Sequence, residues 1–151
     1  MADRKQAIIS ILQQNARISN TALGEVLGIS PEDEGIIRGY SVILDDEAYD
    51  KSVVYATIEL KVAPQRDCGF DDIAKTIMMY DEVESVSLMS GGYDLAVEVK
   101  GNDLREVAFF VSERLSTIDG ILSTATHFIL KKYKEKGIFI DKEEPDERGL
   151  G

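Results

Sequence analysis

Val54-Tyr55-Ala56-Thr57-Ile58-Glu59-Leu60-Lys61-Val62 is a strand written in period two. Val54, Ala56, Ile58, Leu60 and Val62 fall on one face, and Pro64 closes the run. Toward the C-terminus the period changes in a regular order. Phe70, Ile73, Ala74, Ile77 and Met78 follow helical spacing, Val83 to Met89 is a short strand, and Tyr93, Leu95, Val97 and Val99 alternate in another. Leu104, Val107, Ala108, Val111 and Leu115 give a second helix, and Ile121 to Leu130, introduced by Gly120, a last strand. The order β-α-β-β-α-β folds most simply as a four-stranded antiparallel sheet with both helices on one face, the ferredoxin-like arrangement. The mixed polarity of the other strand face leaves a second sheet surface to cover, which favours a dimer. Lys131 to Asp141 is a basic run followed by the apolar Ile138-Phe139-Ile140, and residues 142–151 form a charged tail expected to be mobile.

Toward the N-terminus the pattern is helical. Asp3 to Gln14 reads as a first helix, with Asp3 and Gln6 at capping-box spacing and Ala7, Ile8, Ile11 and Leu12 on one face. Ser19 caps a second helix with the stripe Ala22, Leu23, Val26 and Leu27, and Gly28 ends it. Ser30-Pro31 then signals a third helix, since Ser suits the N-cap and Pro the first helical position. Two helices, a tight glycine turn and a new cap are the order of a helix-turn-helix. Yet only Glu32, Asp33 and Glu34 precede Gly35 and Ile36-Ile37. A helix laid in a DNA groove needs about ten residues, roughly 15 Å. Residues 35–44 read as extended, and the polar residues 45–52 are the best candidate for an interdomain connection.

Composition narrows the function. The 151 residues suit one medium domain or two small ones, and 44% apolar content can fill a core. No apolar run approaches the ~18 residues of a membrane span, and the start does not read as a signal peptide. A single cysteine excludes an intramolecular disulfide and makes the cytoplasm the expected location; Cys68 reads as an ordinary free thiol. The net charge is −11, from 17 Lys+Arg and 28 Asp+Glu. Residues 1–40 carry Arg4, Lys5, Arg17 and Arg38 against five acidic residues, a net of −1. An acidic protein is a poor general polyanion binder, so DNA binding requires a local patch.

No catalytic set emerges. His127, the only histidine, lies between Thr126 and Phe128 with no Cys or carboxylate at metal-ligand spacing, and reads as a satisfied structural residue. No phosphate loop matches the Walker or dinucleotide pattern, so an enzyme is the weak hypothesis and no metal or cofactor is expected. Met89-Ser90-Gly91-Gly92-Tyr93-Asp94 is the sharper feature. Gly-Gly between alternating strands signals a tight hairpin, both turn positions being free to take φ > 0, and that alone accounts for the glycines. The same segment offers turn N–H groups for a carboxylate, Asp94 for an ammonium and Tyr93 for a side chain, which together fit a free α-amino acid. Thr124 and Thr126 share one face of the last strand, as a solvated face or as hydroxyls lining a shared ligand pocket. Asn20, Thr21 and Ser30 can bond phosphate oxygens at helix starts, or serve simply as caps and exposed polar positions.

Four segments carry a resemblance to a known family: residues 11–19, 27–31, 34–40 and 90–95. In order along nearly the whole chain, they are similar to the leucine-responsive regulatory protein/AsnC (feast/famine) transcription regulators. The resemblance implies an α+β protein, a winged helix-turn-helix joined by a connecting strand to a βαββαβ ferredoxin-like domain that senses an amino acid. It implies homodimers assembling to octamers, double-stranded DNA as partner, and the effector held between dimers by Met89, Ser90, Gly91, Gly92, Tyr93 and Asp94, with Thr124 and Thr126. Asn20, Thr21, Ser30 and Arg38 are the expected DNA contacts. Residues 1–44 are then the DNA-binding domain and connecting strand, 45–52 the linker, 53–141 the effector-binding and oligomerisation domain, and 142–151 the tail.

The departure from the family is the short junction after Pro31, where the family's recognition helix of about a dozen residues belongs. A true excision leaves a sensing assembly that cannot read DNA. The other explanation is that the helix exists, is disordered, and is for that reason missing from the sequence as read. It is favoured because both flanks keep their family signals and a three-helix core cannot close on two helices. It predicts more than the ~3.8 Å of a trans peptide between the Cα atoms of Asp33 and Glu34.

Overall fold

The strand Val54–Val62 (β1) is central in its sheet, and its alternation is the reason. The computed structural model describes residues 37–63 and 65–141, together with Ala7 and Ile11. The order of elements is a single turn α1 (Asp46–Tyr49), β1, α2 (Phe70–Ile77), β2 (Val83–Leu88), β3 (Leu95–Gly101), α3 (Leu104–Phe110), a π-helical turn (Val111–Leu115) and β4 (Ile121–Phe128). A small hairpin follows, β5 (Lys134–Glu135) and β6 (Ile138–Phe139). The four-stranded sheet has the order β2-β3-β1-β4 with every neighbour antiparallel, which is the ferredoxin-like arrangement.

Ala56, Ile58 and Leu60 of β1 and Leu95, Val97 and Val99 of β3 are buried on the helix-covered face. Ile73 and Ile77 of α2, Val107 and Phe110 of α3, and Val111 and Leu115 of the π turn close the core over them. Burying an aliphatic side chain of this size contributes roughly 1.5–3 kcal/mol. The helices start on local caps: Asp103 Oδ1 accepts the Glu106 N–H at 2.7 Å, and Asp72 Oδ2 accepts the Gly69 N–H at 3.1 Å.

The second helix departs from the expected stripe. Leu104 and Ala108 are exposed, whereas Phe110 is buried and sets its edge against the Tyr80 ring at 5.4 Å. The buried stripe is centred on Val107, Phe110 and Val111, and the wide π turn, closed by Ser116 N–H donating to the Val111 carbonyl at 2.9 Å, brings Leu115 into line. Met78, expected in the stripe of α2, lies just past its end and is exposed. Residues 37–45 belong to no strand, so the extended segment expected at 35–44 has no sheet partner among the described residues. Asp46–Tyr49 forms a helical turn inside the polar connection.

The chain divides into two units, Met1–Val42 and Ile43–Gly151. In the first, Ala7 and Ile11 are helical and half-buried, in keeping with a helix face at i, i+4. The rest of the two N-terminal helices, Asn20, Thr21, Ser30, the Asp33–Glu34 junction, Pro64 and the tail lie outside the described residues.

Candidate functional site

The connection between β2 and β3 runs from Met89 to Asp94 and is longer than the two-residue turn expected of Gly91-Gly92. Only Gly91, at φ +120°, takes the backbone conformation that favours glycine. Met89 N–H donates to the Asp94 carbonyl at 2.8 Å and closes the loop. Among the described residues, none accepts a hydrogen bond from the N–H groups of Ser90, Gly91, Gly92 or Tyr93. Space is open beside both glycines: a Cβ at either meets no atom within 4 Å.

Asp94 is half-buried and fastened on three sides. Its N–H donates to the Leu60 carbonyl at 2.9 Å, its carbonyl accepts from Met89, and its Oδ2 accepts the Val62 N–H at 2.8 Å. Its Oδ1 has no partner among the described residues. The loop thus carries one carboxylate oxygen and a run of backbone donors, the complement of an ammonium and a carboxylate.

Thr124 and Thr126 do share one face of β4, and it is the helix-covered one. Thr124 stands opposite Leu60 and Thr126 opposite Ile58, both half-buried on an edge strand. Leu95, Leu60 and Thr124 form one row across β3, β1 and β4, about 10 Å wide at ~4.8 Å per strand. Thr124 therefore lies at the same end of the sheet as Asp94, with β1 between them, and Thr126 is one side-chain step further from the loop. The fold brings together residues 89–94 as one unit and does not bring the threonines into contact with it. Leu122, exposed and unpaired at the bulge opposite Lys61 and Val62, also borders this end of the sheet, and strand alternation alone could not mark it.

His127 is exposed on the open face of the sheet, with Nε2 3.5 Å from Glu59 Oε1. Among the described residues no group of three or more His, Cys, Asp or Glu could hold a metal ion. A cavity of about 620 Å³ lies elsewhere, between α1, the start of β1 and residues 129–132, and includes none of residues 89–94. Arg38 is exposed in an irregular segment. No described helix is long and apolar enough to cross a membrane.

Comparison with known proteins adds three findings. Residues 55–139 match the Lrp/AsnC ligand binding domain, and residues 6–33 match the AsnC-type helix-turn-helix domain. The chain is 40% identical to the Bacillus subtilis HTH-type transcriptional regulator YugG over 159 residues, covering 98% of this chain and 96% of the relative. It is 24% identical to the leucine-responsive regulatory protein of Haemophilus influenzae, over 89% of this chain and 87% of that one. Among solved structures it is similar to a Neisseria meningitidis transcriptional regulator in complex with L-Met, at a TM-score of 0.65 and 25% identity, covering 89% of this chain and 94% of that one.

Proposed function

Because the chain belongs to the Lrp/AsnC family of transcription regulators, we propose that a free amino acid held at the Met89–Asp94 loop controls its binding to double-stranded DNA. The family consists of regulators and not enzymes, and this chain carries its amino-acid-binding domain and its helix-turn-helix domain. The observation that carries the reading is the division of labour at Asp94. One carboxylate oxygen is spent on the Val62 N–H; the other, without a partner among the described residues, is left for a ligand ammonium beside a loop whose N–H donors those residues do not engage.

The loop is exposed, and a small ligand with most of its surface buried needs more walls than one chain supplies here. A second dimer supplies them. The effector then sits between homodimers of an octamer, and its binding energy is coupled to assembly. Thr124 and Thr126 act in this scheme from the edge strand. The L-Met complex of the Neisseria relative supports an amino acid as the ligand class. Action on DNA in the cytoplasm agrees with the single free cysteine.

Asn20, Thr21, Ser30 and Arg38 make the phosphate contacts in this reading. A second reading, a sensing and oligomerising protein of the same fold without DNA binding, is favoured by one observation. The helix-turn-helix match ends at residue 33, and the sequence passes from Pro31 to Gly35-Ile36-Ile37 with no helix of groove length between them. Selection of duplexes from a random pool, followed by competition with a panel of amino acids, separates the two. Enrichment of a sequence whose affinity responds to one amino acid supports regulation; no enrichment supports the second reading.

A further inference from the structure

Lys131-Lys132-Tyr133-Lys134-Glu135-Lys136 puts four lysines in six residues of a chain whose net charge is −11. Two of the four are committed. Lys131 Nζ lies 2.7 Å from Asp141 Oδ2, and Lys132 Nζ lies 3.8 Å from Glu135 Oε2 and 4.0 Å from the centre of the Tyr55 ring. Lys134 and Lys136 form no ion pair with a described residue. Lys134 Nζ instead stands 4.8 Å over the ring of Phe139, its cross-strand partner, and Phe139 and the neighbouring Tyr133 are both more than half exposed.

The hairpin turn is unusual at one position. Lys136 and Gly137 have φ of +46° and +84°, the two positive values of a tight hairpin turn, where Asn or Gly is preferred before the glycine. A lysine in the left-handed region costs about 1–2 kcal/mol. The strand pairing that the turn closes, Lys134 with Phe139 and Glu135 with Ile138, offsets that cost and sets Lys136 at the exposed tip of the hairpin. Lys131, Lys132 and Asp141, which flank the hairpin, line a cavity with residues 45–48, 50 and 51. The helix-turn-helix half is itself poor in positive charge, with a net of −1 over residues 1–40.

We propose that the Lys134–Lys136 hairpin is a second contact to DNA phosphates, supplementing the helix-turn-helix with positive charge that the N-terminal residues lack. The inference rests on the DNA-binding reading above. Its chemistry is that of backbone neutralisation: two ammonium groups with no ion pair among the described residues meet phosphates and release counterions, without reading bases.

The test is fluorescence anisotropy of the full chain on a selected duplex and on one of mixed sequence, over a range of salt. For the double substitution Lys134→Gln/Lys136→Gln, the slope of log K against log salt should shrink by about 0.9 per lysine, roughly 1.8 for each engaged protomer. The preference between the two duplexes should not change, and Lys134→Arg/Lys136→Arg should keep the wild-type slope. An unchanged slope in the Gln variant overturns the proposal. So does a loss of affinity accompanied by a changed oligomer mass in sedimentation, which would make the hairpin a contact between copies of the chain. Failure of the wild type to bind either duplex overturns the DNA-binding reading and this proposal together, a result distinct from the other two.

Discussion

Asp94 Oδ2 accepts the Val62 N–H at 2.8 Å, at the point where β1 leaves β3. The β1–β3 ladder ends at the pair Leu60 and Leu95, and the β1–β4 register slips between Lys61 and Val62. The Val62 N–H is therefore served by a side chain in place of a strand carbonyl. Through its own backbone Asp94 also joins Leu60 to Met89. One residue thus ties together the ends of β1, β2 and β3, and its Oδ1 has no partner among the described residues.

Substitutions at Asp94 separate the structural role from the binding role. Asp94→Ala leaves the Val62 N–H without its acceptor and should lower the unfolding free energy by about 1–3 kcal/mol. Asp94→Asn keeps an oxygen there and should lose less than half as much. Urea denaturation of the two variants beside the wild type measures the difference. Equal losses would show that the charge, and not the acceptor, matters to the fold.

Gly91 and Gly92 make a matched pair for testing the loop. Both have open space, so an added methyl group meets nothing at either position. Only Gly91, at φ +120°, requires a conformation that L-residues rarely adopt. Gly91→Ala should cost about 1–3 kcal/mol and Gly92→Ala close to nothing, as read from thermal unfolding. Equal costs would mean that the loop is held in a different conformation from the one described.

How much was legible from the chain follows from what each signal measures. Alternation in Val54–Val62 and Leu95–Val99 fixed which residues share a face, because that depends only on a period of two. It could not say which face of β4 carries Thr124 and Thr126, since that depends on pairing with Ile58 and Leu60 across the sheet. Helical spacing found Val107, Val111 and Leu115 but missed Phe110, because a π turn changes the period within the helix. Gly91-Gly92 correctly marked a connection between antiparallel strands. Its length was set by where Asp94 ties β1, a contact 32 residues apart in sequence. The carboxylate expected to receive an ammonium proved to be half engaged in the fold itself.

Tyr55 gives the stability a dependence on alkaline pH. Burial raises its phenol above the ordinary 10.0, and the charge and hydrogen bond of Asp46, 3.3 Å away, act in the same direction. A group that holds its proton more tightly when folded contributes fully below its unfolded pKa, and the contribution is lost as pH rises through the folded value. The wild type should therefore lose stability above pH 10.0 more steeply than Tyr55→Phe. Parallel urea midpoints for the two proteins throughout that range would remove Tyr55 as the cause.

The central claim is that the free oxygen of Asp94 receives the ammonium of an amino acid. Calorimetric titration of a panel of amino acids into the assembled wild-type protein and into Asp94→Asn tests it directly, with thermal unfolding confirming that the variant is folded. At least one amino acid should bind the wild type and lose most of its affinity for Asp94→Asn, because the variant keeps an acceptor for Val62 but has no charge to pair with an ammonium. Binding of equal strength to both proteins would contradict the account.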